Sequence, residues 1–158
     1  MVEVTLLGLA QDGGRPQAGC TRPCCAGLPP DEAAFPVALG ITDGRANHLI
    51  EATRFLGQQL SLWNQTKIDN LLLTHAHFGH VDGLGLFGKE TMNAQGVGLH
   101  ISSEMEHLVD RTPQWALMVD QGVFTPKTFH DGDALRLSEN VTVQPVRVPH
   151  RDELSDMH

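Results

Sequence analysis

The sequence predicts a single α/β domain, and three observations carry that expectation. Short apolar stretches with strand character alternate with segments of helical spacing through the middle of the chain. The most apolar stretch, Ile68 to Thr74 with Leu71-Leu72-Leu73 inside it, runs directly into a cluster of histidines. No repeat of fixed period, low-complexity tract or linker interrupts the 158 residues, so residues 1–158 read as one domain.

Taken in order, Val2 to Leu9 reads as a first strand. It leads into the loop Gln11-Asp12-Gly13-Gly14-Arg15-Pro16-Gln17, where Gly and Pro oppose regular structure. The cysteines Cys20, Cys24 and Cys25 follow in the same loop. Pro36 to Thr42 and Ala46 to Ala52 flank Asp43-Gly44, the pattern of a β-hairpin. A helix is predicted from about Arg54 to Trp63, then the strand Ile68 to Thr74, then a helix over Gly83 to Met92. Val97 to Ile101 reads as a strand, and Ser102-Ser103-Glu104 as the cap of a helix reaching about Asp110. Three further strands are predicted at Val123 to Phe129, Ala134 to Leu137 and Val141 to Val148, separated by Asp131-Gly132-Asp133 and Glu139-Asn140.

Composition narrows the function classes. A hydrophobic content of 41% supports a folded core and argues against disorder. With 11 basic residues against 19 acidic ones, the net charge of -8 offers no broad basic surface for nucleic acid or anionic lipid. A small-molecule substrate is the expected partner, not nucleic acid or a membrane. The opening stretch carries Glu3 and lacks the basic region of a secretory signal, and no apolar run has the length of a bilayer span. Three cysteines crowded together suit metal binding or free thiols in a reducing cytoplasm better than a disulfide framework.

The chemistry concentrates in Thr74-His75-Ala76-His77-Phe78-Gly79-His80. In extended chain just past a strand, His75 and His77 project to one side, because side chains alternate with period two. Two imidazoles on one side chelate a single ion, and His80, where the chain turns toward a helix, faces the same cavity from another angle. Imidazole nitrogen suits zinc, and also iron, nickel and copper; zinc is the expected cofactor, with iron or manganese as alternatives. The third ligand must come from elsewhere, and His150, expected to end the strand Val146-Arg147-Val148 after Pro149, is the best placed. His100, His107 and His130 read as structural or exposed. Asp82, directly after the cluster, is a candidate carboxylate for the site or a cap for the following helix.

The segment Thr74, His75, His77, His80 resembles the T-H-x-H-x-D-H signature of the metallo-β-lactamase superfamily, with Gly79 standing where that signature has aspartate. The resemblance implies a metallo-β-lactamase-like four-layer αββα sandwich of which this chain is the N-terminal portion. It also implies that His75, His77 and His150 hold a first metal. Of the second metal's ligands only His80 remains, which favours a single firmly held ion. The loop Gly8 to Gln17 with its cysteines resembles the branch of that superfamily that includes the pyrroloquinoline-quinone biosynthesis protein PqqB. Related proteins place a structural zinc there with C-x-C-x2-C and a later histidine. Here Cys20 and Cys25 keep the outer spacing, Arg22 replaces the middle cysteine, and Cys24 sits beside Cys25.

A zinc ion with three histidine ligands and one open position lowers the pKa of bound water to roughly 7. The expected activity is therefore metal-dependent hydrolysis of an ester, amide or phosphodiester by metal-bound hydroxide. Two alternatives stand beside it: a catalytically silent metal-binding accessory protein in cofactor biosynthesis, and PqqB-like iron-dependent oxidation. The resemblance further implies that a bridging aspartate and a final histidine lie beyond Asp156-Met157-His158. The chain is expected to be a fragment or to be completed by another subunit in a homo-oligomer, with His158 as an extra candidate ligand.

Overall fold

The computed structural model describes residues 1–158. Six strands form one sheet in sequence order: β1 (Glu3–Gly8), β2 (Ala38–Thr42), β3 (Asn47–Ile50), β4 (Asn70–Leu72), β5 (Val97–Ser102) and β6 (Phe124–Phe129). The first three pair antiparallel, and β3 to β6 pair parallel. Each parallel step needs a crossover. Helix α1 (Leu56–Trp63) lies in the first, the short α2 (Phe78–Val81) in the second, and α3 (Ser103–Arg111) with α4 (Pro113–Asp120) in the third. A two-stranded ribbon, β7 (Leu135–Arg136) and β8 (Thr142–Val143), follows.

Strand periodicity sorts the apolar side chains onto two faces. Leu49, Leu71 and Leu99, all fully buried, join a core with Leu56 and Trp63 of α1, Met105 and Val109 of α3, and Met118 of α4. On the other face Ile50 and Leu72 share a small cavity with Leu135 and Val143 of the ribbon. That face also buries a polar ladder: Asn70 Nδ2 meets His48 Nδ1 at 3.1 Å, and Asn70 Oδ1 meets His100 Nε2 at 2.9 Å. The chain thus builds three layers, helices, a six-stranded sheet and a two-stranded sheet. His100 is structural, as expected, while His107 and His130 are exposed.

Local chemistry explains where the elements stop. Ser102 caps α3 by accepting from Met105 N–H at 3.3 Å. The helix expected over Gly83 to Met92 is instead one 3-10 turn, Leu84–Phe87, ending at Gly88 in extended conformation. Gly83, Gly85 and Gly88 deprive that segment of helix propensity. Helix α4 has no counterpart in the sequence reading, although Pro113 at its first turn is a helix-start signal. The strand expected over Val141 to Val148 pairs only at Thr142–Val143. Beyond it, Arg147 N–H donates to Asp131 Oδ1 and Val148 N–H to the carbonyl of Met157, so the backbone finds partners outside a sheet. No helix is long and apolar enough to cross a membrane.

The β2–β3 turn is tied to the ribbon through one carboxylate. Asp43 Oδ1 accepts from Arg45 N–H and Ala46 N–H at 2.9 Å each, and Oδ2 accepts from Ser138 Oγ at 2.8 Å and Asn140 Nδ2 at 3.3 Å. The Ala46 N–H, then the Ser138 hydroxyl and the Arg45 N–H, hold this carboxyl far below the usual carboxylate range. A depressed folded-state pKa gives stability that is present above the unfolded value of about 3.9 and is lost as pH falls below it. Asp43→Asn is therefore expected to lower Tm at pH 7. The deficit against the unsubstituted chain should narrow below about pH 4, where the wild-type carboxyl itself protonates on unfolding. Paired thermal melts across that range check both parts.

Candidate metal centre

Strand β4 delivers the histidines to the carboxyl end of the parallel sheet, where ligands of open α/β sheets gather. Past Leu72 the chain leaves the sheet and bends at Thr74; His75 and His77 then lie side by side, while Ala76 between them is 1% exposed and packs into the core. Helix α2 then begins at Phe78 and swings His80 back over His75. Ring centroids are 4.6 Å apart for His75 and His77 and 4.0 Å for His75 and His80. Two hydrogen bonds lock α2 to the extension of β3: Ala52 N–H to His80 O, and Gly83 N–H to Ala52 O, each 2.8 Å.

His150 joins them, 5.3 Å from His75 and 5.1 Å from His77 between ring centroids. It does so from irregular chain beyond β8, not from the strand end expected, and its side chain is exposed. One donor atom from each of His75, His77 and His150 falls within 4.8 Å of the others, and the same holds for Glu51, His75 and His80. His158, in contrast, stands against Phe129, with ring centroids 5.1 Å apart, and belongs to neither group. Asp82 also points elsewhere: its Oδ2 pairs with Arg54 Nη2 at 2.6 Å. Cys20, Cys24 and Cys25 form a third group, their sulfurs within the same 4.8 Å limit. Gln17 N–H donates to Cys25 Sγ at 3.5 Å and favours its thiolate, whereas the Cys25 sulfur beside it raises Cys24.

Two residues to which the sequence reading gave no role in the site contact the histidines. Glu51, just past β3, is 3% exposed and has φ of 73°, a left-handed conformation rare for a residue with a side chain. Its Oε1 accepts from Thr74 Oγ1 at 2.5 Å, and Thr74 Oγ1 lies 2.8 Å from His75 Nδ1. The Thr74 hydroxyl has one hydrogen, and the carboxylate takes it. The hydroxyl therefore accepts from His75 Nδ1–H, leaving Nε2 as the lone-pair nitrogen. The second residue is Asp12, whose Oδ1 lies 3.4 Å from His80 Nε2. His80 Nδ1 in turn lies 3.2 Å from Glu51 Oε1.

The electrostatics suit a cation. Burial, and then the proximity of His80, His77 and His150, push His75 down to about 4, so it is neutral at pH 7 and free to ligate. Burial also lowers His80, but Glu51 and Asp12 outweigh it and raise its pKa. His75 Nε2, both ring nitrogens of His77 and His80 Nδ1 are buried without a hydrogen-bond partner. Buried polar atoms left unpaired are costly. Converging imidazole nitrogens of this kind fit a divalent metal ion, which would satisfy them. An adjoining cleft of about 490 Å³, lined by Asp12, Arg54, His77, Arg151 and Glu153, reaches the cluster at His77.

No protein-family model matches the sequence, and a comparison with curated proteins finds no match. Among solved structures the chain is similar to zinc-bound PqqB from Methylobacterium extorquens, with TM-score 0.80 and 20% identity over 94% of this chain and 56% of that one. A diphosphatase of the PhnP family matches with TM-score 0.75 and 20% identity, over 99% of this chain and 61% of that one. The metallo-β-lactamase fold protein YhfI from Bacillus subtilis matches with TM-score 0.55 and 15% identity, over 85% of this chain and 48% of that one. The chain thus spans about 56–61% of the length of the first two.

Gly79 is where the loop after β1 touches α2. A Cβ there would fall 2.3 Å from Asp12 Cβ and 2.5 Å from Asp12 Cα, so even alanine forces the loop away. Gly79→Ala is expected to destabilise the fold by about 1–3 kcal/mol, the usual cost of overpacking. Gly85→Ala, where an added Cβ meets nothing within 4 Å, should be close to neutral. Urea unfolding of the two variants separates the steric effect from the general cost of replacing a glycine.

Proposed function

We propose that this chain, which has the metallo-β-lactamase fold, is a metal-dependent hydrolase whose metal ion is held by His75, His77 and His150. The observation that carries this reading is the convergence of three imidazoles, two of them buried with unpaired nitrogens. Zinc is the metal that three imidazoles suit, with iron or manganese as alternatives. When bound, such an ion polarises a carbonyl or phosphoryl oxygen and makes water nucleophilic at neutral pH.

The chain's own residues prepare that chemistry. Glu51 and Thr74 fix the tautomer of His75, so that Nε2 is presented without a proton. Burial and neighbouring imidazoles keep His75 neutral, which a ligand must be. The cleft, at about 490 Å³, has the size of a small-molecule pocket. Arg54 and Arg151 line it, paired with Asp82 at 2.6 Å and Glu153 at 3.3 Å, and an anionic or strongly polar substrate, such as a carboxylic or phosphoric ester, would compete for these guanidinium groups. Cys20, Cys24 and Cys25 serve as a separate, structural zinc site, supported by their clustered sulfurs and by the bias of Cys25 toward thiolate. Reduced thiols in this number fit a cytoplasmic setting.

The purified chain is expected to bind zinc and to hydrolyse p-nitrophenyl esters or bis-p-nitrophenyl phosphate. Turnover should vanish with a chelator and return with zinc. His75→Ala with His77→Ala should abolish both the histidine-bound metal and the activity. Metal analysis that finds the same content in that double variant sinks the reading, and metal binding with no turnover would assign an accessory role instead.

Thr74→Val tests the orienting chain on its own. It removes the acceptor for His75 Nδ1–H while keeping the shape, and is expected to weaken metal affinity by roughly 10–100-fold. Competition against a chromophoric chelator, with circular dichroism to confirm the fold, measures that loss.

A further inference from the structure

We propose that Arg151 is the residue of the cleft that recognises an anion, and that Glu153 holds that anion position from within the chain. A substrate carboxylate or phosphate then enters by replacing Glu153 on Arg151. This rests on the reading of the cleft as a substrate site and names the chemistry the cleft selects.

Both residues ride on a loop that is anchored at its base and open at its tip. Val148 N–H donates to Met157 O at 3.1 Å and closes the loop. On the return side Ser155 Oγ accepts from Ala76 N–H at 3.1 Å, and Met157 is buried. Between these anchors residues 149–154 are exposed, and Arg151, Glu153 and Leu154 line the cleft beside His77. A loop tip positioned by a fixed base is a usual carrier of binding groups.

A single carboxylate oxygen has two partners here. Glu153 Oε1 lies 3.3 Å from Arg151 Nη1 and 3.3 Å from His77 Nε2. It marks a point at which an anionic oxygen meets a guanidinium and an imidazole of the histidine cluster together. A guanidinium presents paired N–H donors that match two oxygens of a carboxylate or phosphate. Glu153 reaches only one of the Arg151 nitrogens, and at 3.3 Å it stands outside the about 2.7–2.9 Å of a close charge-assisted bond. An incoming anion that engages both nitrogens makes the better partner.

Arg54, the other guanidinium of the cleft, is held differently. Its Nη2 meets Asp82 Oδ2 at 2.6 Å, and these side chains are 45% and 31% exposed, against 69% and 51% for Arg151 and Glu153. A loose, exposed ion pair adds little to stability, so exchanging Glu153 for another anion costs little. Arg54 stays with Asp82, and Arg151 is the group a ligand takes over. A neutral ester leaves Glu153 in place, whereas a substrate with an anionic group beside its scissile bond displaces it and is held by Arg151.

Anion binding to the full chain, treated with a chelator so that no ion contributes, tests this. Benzoate and inorganic phosphate are titrated by NMR into the unsubstituted chain, Glu153→Gln, Arg151→Gln, the double variant and Asp152→Asn. Glu153→Gln is expected to tighten binding by roughly 3–10-fold, and Arg151→Gln to weaken it by at least as much. In the Arg151→Gln background the gain from Glu153→Gln should disappear, because no guanidinium is left to compete for. Asp152 lies on the same loop but does not line the cleft, so Asp152→Asn, with the same change of charge, should shift affinity by less than about twofold. The anion that responds more to these substitutions names the substrate class, carboxylate or phosphate. Binding indifferent to Arg151→Gln, no saturable binding to Glu153→Gln, or a gain that persists without Arg151 or is matched by Asp152→Asn overturns the proposal. These titrations leave the His75, His77, His150 reading untouched; metal content unchanged by His75→Ala with His77→Ala overturns that reading instead.

Discussion

The site depends on a buried carboxylate held between two parallel strands. Pairing of β3 with β4 sets Ile50 opposite Leu72 and extends one step further, with Glu51 N–H donating to Leu72 O at 3.0 Å. That step leaves the Glu51 side chain beside Thr74, at the point where the histidine segment begins. A buried anion without partners would be prohibitively costly. Glu51 has the Thr74 hydroxyl on Oε1, the Thr74 N–H at 3.4 Å from Oε2, and His80 alongside. The left-handed backbone at Glu51 is the conformational cost of aiming the carboxylate inward. One acid thereby sets the tautomer of His75 and helps raise the pKa of His80, two different demands met from one position.

Close approach of backbones is the other constraint. The loop after β1, the extension of β3 and helix α2 converge at the histidines, and glycine stands at each contact. A Cβ on Gly83 would fall 2.2 Å from Thr53 O, and one on Gly79 would fall inside Asp12. The convergence brings Asp12 and Glu51 to three buried imidazoles, and the segment after β8 adds Glu153, its Oε1 3.3 Å from His77 Nε2. In a chain of net charge -8, this local excess of carboxylate attracts cations, and the unpaired imidazole nitrogens are donors suited to them.

What the sequence revealed and what it hid follow from the range of the interactions. His75, His77 and His80 were legible because local periodicity places neighbours in a strand and a turn, and the β2–β3 hairpin because Asp43-Gly44 is a local turn signal. Glu51 was hidden, since its role arises only once β3 lies parallel to β4. A carboxylate at the end of one apolar strand, with histidines at the end of the next, is the signal that would have found it. Asp12 carried no such signal, because its contact with His80 depends on where a glycine-rich loop folds. Gly79, read in sequence as a missing ligand, becomes in space the vacancy that admits Asp12. Helix α4 and the 3-10 turn at Leu84–Phe87 were missed because glycine content and packing, not periodicity, decide those segments.

The histidine segment is held from its far side by the last residues of the chain, and this bears on how the metal ligands come together. Ser155 Oγ accepts from Ala76 N–H at 3.1 Å, and His158 N–H donates to Thr74 O at 3.1 Å. Asp156 accepts from Ser102 Oγ and takes Glu104 Oε2 on its own N–H. These contacts pin the backbone around His75 and His77 independently of any ion. His150, by comparison, is exposed and follows a stretch whose nearest backbone anchor is Val148 N–H to Met157 O at 3.1 Å. Two of the proposed ligands are therefore preorganised where they leave the sheet, and the third rides on irregular chain. Metal binding is most strongly coupled to ordering where the protein itself supplies least restraint. In the proposed centre the His75–His77 pair just past β4 is the rigid half, and the exposed segment carrying His150 is the half that metal binding would order.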